Sequence, residues 1–501
     1  MTHIRIVDRP CGYGKSTEIL ASYKKTENYI TVVPTLSEID RFIAGALETS
    51  RVRMTQPEAS DGRKTDHCEK LIRDGKSVIC TSALFYRLGS LATVQGETFK
   101  AVEFDGKSAP KIETGHLLDS YNLIIDEVIT PFEHATSVKP TEFSQDYVDL
   151  GMARVESDGR IVPTELWDRT YDAGNRTFDR GLYEKAKSGA LYKVSDNLFV
   201  LTVPFELLTR PKTVTIYTYL SQGSVLLHFL KKKLAQYPGL FTLEVTGLPT
   251  GVEESWRADV AQALTIHGIP ELERWKWNHS AQLRGFKTKA QCMPVGNALR
   301  KFKDRALGNV DLRKVILTSA RAVWCAHKTG DRPAAGKLAV HTRLFGHATQ
   351  RLRFAEDKQD EVKEWCTTGV QFVPNTTRGT NKHSDCTHAI YLYDQHPQPQ
   401  LLSFLGYQPG SSDARDFADA YALTELVQWL FRSAIRKGGV NGTGQPAEPR
   451  HKVTAYLPSI RMRTLLANWL ETGKVSSRDR QGIPTKASRR RKRVLKGTLA
   501  A

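Results

Sequence analysis

A glycine-containing loop near the start of the chain constrains the fold more than any other feature. Residues 9–17 read RPCGYGKST, after an apolar run at residues 4–7 and before a helix-forming run that begins at Glu18. A strand, a glycine loop with Gly-Lys-Ser and a helix, in that order, are typical of a loop that binds the phosphates of a nucleoside triphosphate. Glycine lets the backbone bend until its N–H groups point inward at phosphate oxygens, and the positive end of the helix dipole adds to the attraction. The residues expected to bind nucleotide are Gly12, Tyr13, Gly14, Lys15, Ser16 and Thr17.

Two residues of this loop have specific expected roles, and one position departs from the usual pattern. Lys15 is expected to reach the β- and γ-phosphates, and the Ser16 hydroxyl is expected to bind Mg²⁺. The first position of such loops is usually glycine, whereas this chain has Arg9 there, followed by Pro10, which stiffens the turn. A fortuitous turn that contains Gly-Lys-Ser therefore stays open as an alternative.

An apolar run that ends in two acids supplies the second half of the expected site. Residues 121–128 read YNLIIDEV, and the apolar residues 123–125 predict a central parallel strand that is buried on both faces. Because ligands bind at the carboxyl ends of the strands in open α/β sheets, Asp126 and Glu127 are expected at the ligand-binding edge. Asp126 is expected to hold Mg²⁺, and Glu127 to orient and deprotonate the attacking water. An acidic turn after a strand is the alternative.

The composition limits the class of protein. The chain has 501 residues and a formal net charge of +18, which suits a polyanionic partner better than ordinary metabolic chemistry. Its 7 cysteines include no Cys-x-x-Cys pair and read as reduced thiols of a cytosolic protein. No apolar run approaches the length of a membrane span, and the first residues are not typical of a signal peptide. A soluble, cytoplasmic protein without a membrane partner is therefore expected.

Strands alternate with helices along the chain, which predicts parallel sheets covered by helices. In the first part, strands are expected at residues 29–34, 78–81 and 214–219, beside the strand that ends at Asp126. A second series of strands is expected at residues 314–319, 337–341, 369–373, 388–392 and 453–457, followed by a helix at 459–470. The expected domains are 1–240 with a less regular insertion at about 130–212, a linker or accessory segment at 241–305, a second domain at 306–473 and a disordered basic tail at 474–501.

A long helix is expected from Ser412 to Lys437, ending at two glycines, and it carries two arginines. Gln428, Arg432 and Arg436 follow one another at four-residue steps, drift by only about 40° per step and share one stripe beside an apolar face. Arginines on such a stripe would project across a cleft between domains and neutralise charge on a transferred phosphoryl group. Catalytic roles are therefore expected for these three residues, with a solvated basic face as the alternative.

Two strand ends are expected to contact nucleic acid. Residues 377–381 read TRGTN, a polar loop after an expected strand whose groups can donate hydrogen bonds to phosphates. The loop could contact ATP, nucleic acid or both, and an ordinary turn is the alternative. The residues expected to bind nucleic acid are Arg378, Gly379, Thr380 and Asn381, together with Thr81 and Ser82 at the end of the strand 78–81.

Taken in chain order, these segments resemble motifs I, II, III, V and VI of superfamily 2 helicases. The segments are GYGKST at 12–17, DE at 126–127, YTYL at 217–220, RGTN at 378–381 and QWLFRSAIR at 428–436. More narrowly, the chain resembles the helicase-like replication proteins of phages and prophages, which have a similar Arg-Ser-x-x-Arg helix, a strand and then Pro-Ser-x-Arg-Met-Arg, here residues 458–463. The resemblance spans roughly residues 1–470. Its departures are Arg9 and the Val-Ile that follows Asp-Glu at residues 128–129.

The resemblance implies two RecA-like domains in tandem, with ATP and Mg²⁺ in the cleft between them. The sequence therefore predicts a nucleic-acid-dependent ATPase, a DNA helicase or translocase of phage or prophage origin that acts in DNA replication. Single-stranded or forked DNA is the favoured partner, and replication or packaging proteins are further partners. A DNA-packaging motor ATPase and a nucleic-acid-binding scaffold with a degenerate ATP site are the alternatives.

Overall fold

The computed structural model describes most of residues 1–475, and the described part contains two separate parallel sheets. The residues that it does not describe are 60–62, 93–94, 105–106, 128, 130–131, 135–139, 173–179, 196–197, 287–288, 321–322, 324–369, 376, 378–380, 440–448 and 476–501. The expected strand at 337–341 and nearly all of the expected basic tail therefore lie outside the described residues. No helix in the described ranges is long and apolar enough to cross a membrane.

The first 246 residues are the part of the chain that we propose as the first domain. Its strands are β1 (Thr2–Asp8), β2 (Asn28–Val33), β3 (Val78–Thr81), β4 (Gln95–Phe104), β5 (Lys107–His116), β6 (Tyr121–Asp126), β7 (Glu133–His134), β8 (Ala153–Val155), β9 (Ile161–Pro163), β10 (Leu191–Ser195), β11 (Leu198–Leu201), β12 (Thr213–Thr218) and β13 (Phe241–Thr246). Its helices are α1 (Lys15–Ser22), α2 (Leu36–Ser50), α3 (Lys64–Arg73), α4 (Ser82–Phe85), α5 (Pro140–Phe143), α6 (Glu165–Asp172), α7 (Arg180–Lys187), α8 (Glu206–Thr209) and α9 (Val225–Gln236). Short 3₁₀ turns span Gly89–Ala92, Leu117–Ser120 and Ser221–Gly223, and a π-helical turn spans Ser144–Val148.

The main sheet of this domain has the order β13-β1-β12-β6-β2-β3, with every neighbouring pair parallel. All six residues of β6 are buried, as the apolar run predicts for a central strand. The register places Asp8 beside Thr218 and Tyr217 beside Asp126. The carboxyl ends of β1, β12 and β6 therefore meet at one edge of the sheet.

The region expected as a less regular insertion has a small core of its own. Strands β7, β10 and β11 form an antiparallel sheet, β8 and β9 form a hairpin, and aromatic side chains such as Phe143 and Trp167 are buried between these elements. A buried ion pair joins this layer to α9, since the Lys233 ammonium donates to the Asp158 carboxylate at 2.7 Å.

The second sheet belongs to the later part of the chain. Its strands are β14 (Leu264–Gly268), β15 (Val315–Thr318), β16 (Gln371–Phe372), β17 (His388–Tyr391) and β18 (Val453–Leu457). The helices of this part are α10 (Thr250–Ala263), α11 (His279–Gly285), α12 (Lys289–Ala306), α13 (Pro399–Leu405), α14 (Ser412–Leu430) and α15 (Ile460–Thr472). The sheet order is β14-β18-β17-β15-β16, again with parallel neighbours throughout. The expected α/β class, two RecA-like parallel-sheet domains in tandem, is confirmed.

We propose that residues 241–305 belong to the two sheet-containing domains rather than to the expected linker or accessory segment. Strand β13 pairs with β1 at the edge of the first sheet, whereas β14 pairs with β18 at the edge of the second sheet. A strand that pairs at the edge of a sheet gains backbone hydrogen bonds and buried area that it would lack in solvent, and these hold it in the sheet. The boundary between the domains that we propose is the short connection at residues 247–249.

The prediction of a long helix from Ser412 to Lys437 is wrong at its C-terminal end, because α14 ends at Leu430. Beyond this end, the Arg432 N–H donates to the Trp429 carbonyl and the Ser433 hydroxyl donates to the Leu430 carbonyl. These bonds supply donors to carbonyl oxygens that the last turn of the helix leaves without a partner inside the helix. The Ala434 N–H then donates to the Cys386 carbonyl at 2.8 Å, which directs the chain towards the second sheet.

Candidate nucleotide site between the two domains

The loop that is expected to bind phosphates has the backbone that its glycines predict. Gly12 and Gly14 have φ values of 82° and 80°, in the left-handed region that favours glycine. Gly14 is the N-cap of α1, and the helix begins at Lys15. The Lys15 ammonium donates to the Arg9 carbonyl at 3.1 Å, so it lies across the loop. The N-terminal N–H groups of α1 and a lysine are thus held at one end of β1.

Arg9, the departure from the usual loop, points away from this site. Its N–H donates to the Thr218 carbonyl at 2.9 Å, and its guanidinium donates to the carbonyl of Gly247. The Arg9 Nε also lies 3.8 Å from a carboxylate oxygen of Glu18. Arg9 is not among the residues that line the adjacent cavity.

The two acids lie where the buried strand ends. Asp126 closes β6 and is 7% exposed. Burial, with a further contribution from Glu127, raises the pKa of Asp126 to about 6, while the positive charge of Lys15 opposes the rise. Glu127 follows with a φ of 66°, an uncommon conformation for a residue with a side chain.

Arg432 meets Glu127 across the two domains. Its Nη2 donates to the Glu127 Oε1 at 3.0 Å, and the Arg432 side chain is 3% exposed. The alternative of a solvated basic face is therefore wrong for Arg432. An arginine–carboxylate contact with so little solvent is a strong hydrogen bond.

Arg436 approaches the phosphate loop from the other side. A Cβ at Gly12 would lie 3.5 Å from the Arg436 carbonyl oxygen and 3.7 Å from its Cγ. Arg450 fixes the turn that carries Arg436, because its guanidinium donates to the Ile435 carbonyl and to Asp259, both at 2.7 Å. The two arginines thus share a site although they do not share a helix.

Gln428 has a different position from the one that the stripe predicts. It is buried on α14, where its amide donates to the Tyr219 carbonyl at 3.0 Å. One turn earlier, the Thr424 hydroxyl donates to the Leu220 carbonyl at 3.0 Å. Gln428 does not line the cavity and instead joins α14 to the turn after β12.

A cavity of about 310 Å³ brings most of the expected residues together. Its expected lining residues are Gly12, Gly14, Lys15, Ser16, Thr17, Asp126, Glu127, Asn381, Arg432 and Arg436, and its further lining residues are Cys11, Glu38, Arg41 and Phe431. Tyr13 is not among them and packs instead against the core of the second domain. The cavity is therefore built by both domains.

Glu38 and Arg41 are the charged residues among the cavity residues that the sequence did not predict. They lie three residues apart on α2, and the Arg41 Nε donates to the Glu38 Oε2 at 2.9 Å. The Arg41 Nη2 also donates to the Ser16 hydroxyl at 3.1 Å. One signal could have found them, because α2 follows β2, whose carboxyl end lies beside that of β6.

Among the described residues that are expected to bind nucleic acid, one lines the cavity and two lie outside it. Thr81 ends β3 and Ser82 begins α4, two strands from β6 at the same edge and so roughly 10 Å from Asp126. Neither residue lines the cavity. Asn381 does line it, together with Lys15, while Arg378, Gly379 and Thr380 lie outside the described residues.

The oxygens of Ser16 and Asp126 suit Mg²⁺. Both residues line the cavity, and a hydroxyl and a carboxylate are the hard ligands that Mg²⁺ takes from a protein when phosphates and water complete its shell. A cation there would also stabilise the buried Asp126 in its charged form. In the described ranges, no group of three or more His, Cys, Asp or Glu residues could hold a metal by itself.

Several known proteins are similar to this chain. Residues 300–470 match the family described as YonV C-terminal Rossmann-like domain. The chain is 20% identical over 484 residues to the SPbeta prophage-derived protein YonV of Bacillus subtilis (strain 168), a match that covers 94% of this chain and 99% of YonV. Among solved structures, it is similar to Xpd4 of S. tokodaii, with 13% identity, a TM-score of 0.43 and 94% of each chain covered. It is also similar to a Dbp5 variant of S. cerevisiae bound to RNA and ADP BeF3, with 10% identity, a TM-score of 0.38, and 99% of this chain and 89% of that chain covered.

Proposed function

We propose that this chain is a nucleic-acid-dependent ATPase whose ATP binds in the cavity between the two domains. One observation carries the proposal: Lys15 and Asp126 of the first domain and Arg436 of the second domain line the same cavity, beside the Arg432–Glu127 contact. Phosphoryl transfer to water needs a phosphate cradle, a base and positive charge at the transferred group, and this set of residues supplies all three.

The first domain would bind and activate the reactants. The loop N–H groups and Lys15 bind the phosphates, and Lys15 leaves the Arg9 carbonyl to reach them. Ser16 and Asp126 would hold Mg²⁺, which would supply charge neutralisation at the phosphate oxygens. Glu127 accepts a proton from the attacking water.

The second domain would complete the site with two arginines that have different tasks. Arg432, already in contact with Glu127 at 3.0 Å, orients that carboxylate for the water. Arg436, which lies against the phosphate loop, donates to the γ-phosphate as charge develops on it. Asn381 lines the same cavity, so we assign it to the nucleotide rather than to nucleic acid.

The polyanionic partner in this proposal is DNA, single-stranded or forked, in the replication of a phage or prophage. The net charge of +18 supports sequence-independent binding to phosphates. The match to YonV supports the prophage assignment, since that relative is prophage-derived. Thr81 and Ser82, at the same sheet edge as the cavity, are the described residues that we assign to the strand.

The alternative of a scaffold with a degenerate ATP site loses its main support in Arg9. That alternative rests on Arg9, a residue with a Cβ on a turn stiffened by proline, in place of the usual first glycine of the loop. The Arg9 guanidinium instead contacts the carbonyl of Gly247, outside the cavity.

Steady-state ATP hydrolysis with and without single-stranded DNA tests the proposal. The wild-type chain should hydrolyse ATP faster with DNA, and Lys15→Ala should abolish turnover and weaken ATP binding. Lys25→Ala is the matched control, because Lys25 is exposed just after α1, and it should behave as the wild type does. Near-normal hydrolysis by Lys15→Ala would contradict the assigned site.

A further inference from the structure

Arg41 contacts the residue that the proposed function assigns to Mg²⁺. Its Nη2 donates to the Ser16 hydroxyl oxygen at 3.1 Å, and its Nε donates to Glu38 Oε2 at 2.9 Å, with a second contact from Nη2 to the same oxygen. Glu38 is largely buried, with its side chain 15% exposed, whereas that of Arg41 is 46% exposed. Glu38 therefore anchors a guanidinium that reaches the phosphate loop from α2.

A guanidinium and a divalent cation compete at such a position. Arginine keeps its charge at all pH values that proteins tolerate and only donates hydrogen bonds. Mg²⁺ at the Ser16 oxygen would lie within a few Å of this charge, where repulsion is substantial even after screening by solvent.

We propose that Arg41, held by Glu38, is a positioning residue that competes with Mg²⁺ for Ser16 and serves as a cation for the nucleotide phosphates when Mg²⁺ is absent. This inference rests on the proposed nucleotide site. It makes the binding of nucleotide less dependent on Mg²⁺ than Ser16 and Asp126 alone would allow. Glu38 sets the strength of the effect, because its carboxylate offsets part of the Arg41 charge.

The test measures the affinity of the full chain for a fluorescent, non-hydrolysable ATP analogue, once with excess MgCl₂ and once with EDTA. The readout is the ratio of the dissociation constant in EDTA to that in MgCl₂. Arg41→Ala should raise this ratio roughly five- to tenfold, since it weakens binding in EDTA and removes a charge that repels Mg²⁺. Glu38→Gln should lower the ratio, because the amide oxygen can still accept the hydrogen bond from Arg41 but no longer offsets its positive charge. A general loss of structure would not move the two variants in opposite directions.

A double-mutant cycle tests whether the competition occurs at Ser16. In a Ser16→Ala background, Arg41→Ala should raise the ratio clearly less than it does in the wild type, because the competition for the shared oxygen is gone and only the contribution of Arg41 to the phosphates remains. An equally large effect in both backgrounds would overturn the competition at Ser16.

Arg73→Ala is the matched control. Arg73 and Glu69 form a comparable pair on α3, at 2.7 Å and with side chains 45% and 29% exposed, and they do not line the cavity. The ratio should equal that of the wild type. If Arg41→Ala and Glu38→Gln also leave the ratio unchanged while the wild type binds the analogue, the inference is wrong and the proposed function stands. If the wild type binds no analogue in either condition, the proposed function fails as well.

Discussion

At the scale of single residues, Glu127 is held in a costly conformation. Its φ of 66° lies in the left-handed region, which costs a residue with a side chain about 1 kcal/mol or more. The contact with Arg432 at 3.0 Å spans the two domains and fixes the carboxylate in this geometry. Strained residues that their surroundings hold in place concentrate at active sites, and this position agrees with the proposed role as the base.

Glu127→Gln separates that role from a structural one. The amide keeps the shape of the side chain and can still accept a hydrogen bond from Arg432, but it cannot accept a proton. ATP should bind with nearly wild-type affinity, while turnover falls by roughly two to four orders of magnitude. The ATP affinity and the ATP turnover of this variant are both measured. A loss of affinity together with turnover would mean that Glu127 has a structural role and is not the base.

At the scale of elements, α14 connects the domains. Thr424 and Gln428 donate to the two carbonyls of the turn after β12, and Asp8 of β1 accepts from the N–H groups of Leu220 and Ser221 in the same turn. Gly223 allows this approach, since a Cβ there would lie 2.3 Å from the Ala420 carbonyl oxygen. These contacts hold the end of α14, and with it Arg432 two residues further on, beside Glu127.

Gly223→Ala should disturb this contact. The added methyl group would force α14 away from the turn, at a cost of about 1–3 kcal/mol in the free energy of unfolding, and would also lower ATP turnover. Gly251→Ala is the control, because nothing lies within 4 Å of its Cβ position on α10, and there alanine should be neutral or stabilising. Urea denaturation measures both variants, and equal stabilities would contradict the close contact.

Local patterns explain which elements the sequence could predict. The strand that ends at Asp126 and the helix that begins at Lys15 follow from apolar runs and glycine positions within a few residues. The end of α14 depends on the bond from the Ala434 N–H to the Cys386 carbonyl, and the pairing of β13 with β1 spans more than 200 residues. Long-range contacts of this kind leave no periodic signal in the sequence. The hydrogen bond between Arg41 and Ser16 leaves no periodic signal either.

At the scale of the whole molecule, distant parts of the chain form one site. Lys15, Asp126 and Arg436 are each more than 100 residues apart in the chain, yet they line a single cavity of about 310 Å³. Two parallel sheets make this possible, because each presents a loop edge to the other domain. The central claim is that the second domain completes the site of hydrolysis on the first.

Arg436→Ala tests that claim most directly, in an assay that measures ATP affinity and ATP turnover in the presence of single-stranded DNA. Because the proposed role of Arg436 is to stabilise charge in the transition state rather than to bind ATP in the ground state, ATP affinity should stay close to wild type while turnover falls by about 10³ or more. Arg436→Lys should restore little of the turnover, because lysine lacks the planar fork that spans two phosphate oxygens. Normal hydrolysis by Arg436→Ala would mean that the second domain does not complete the site, and it would contradict the account.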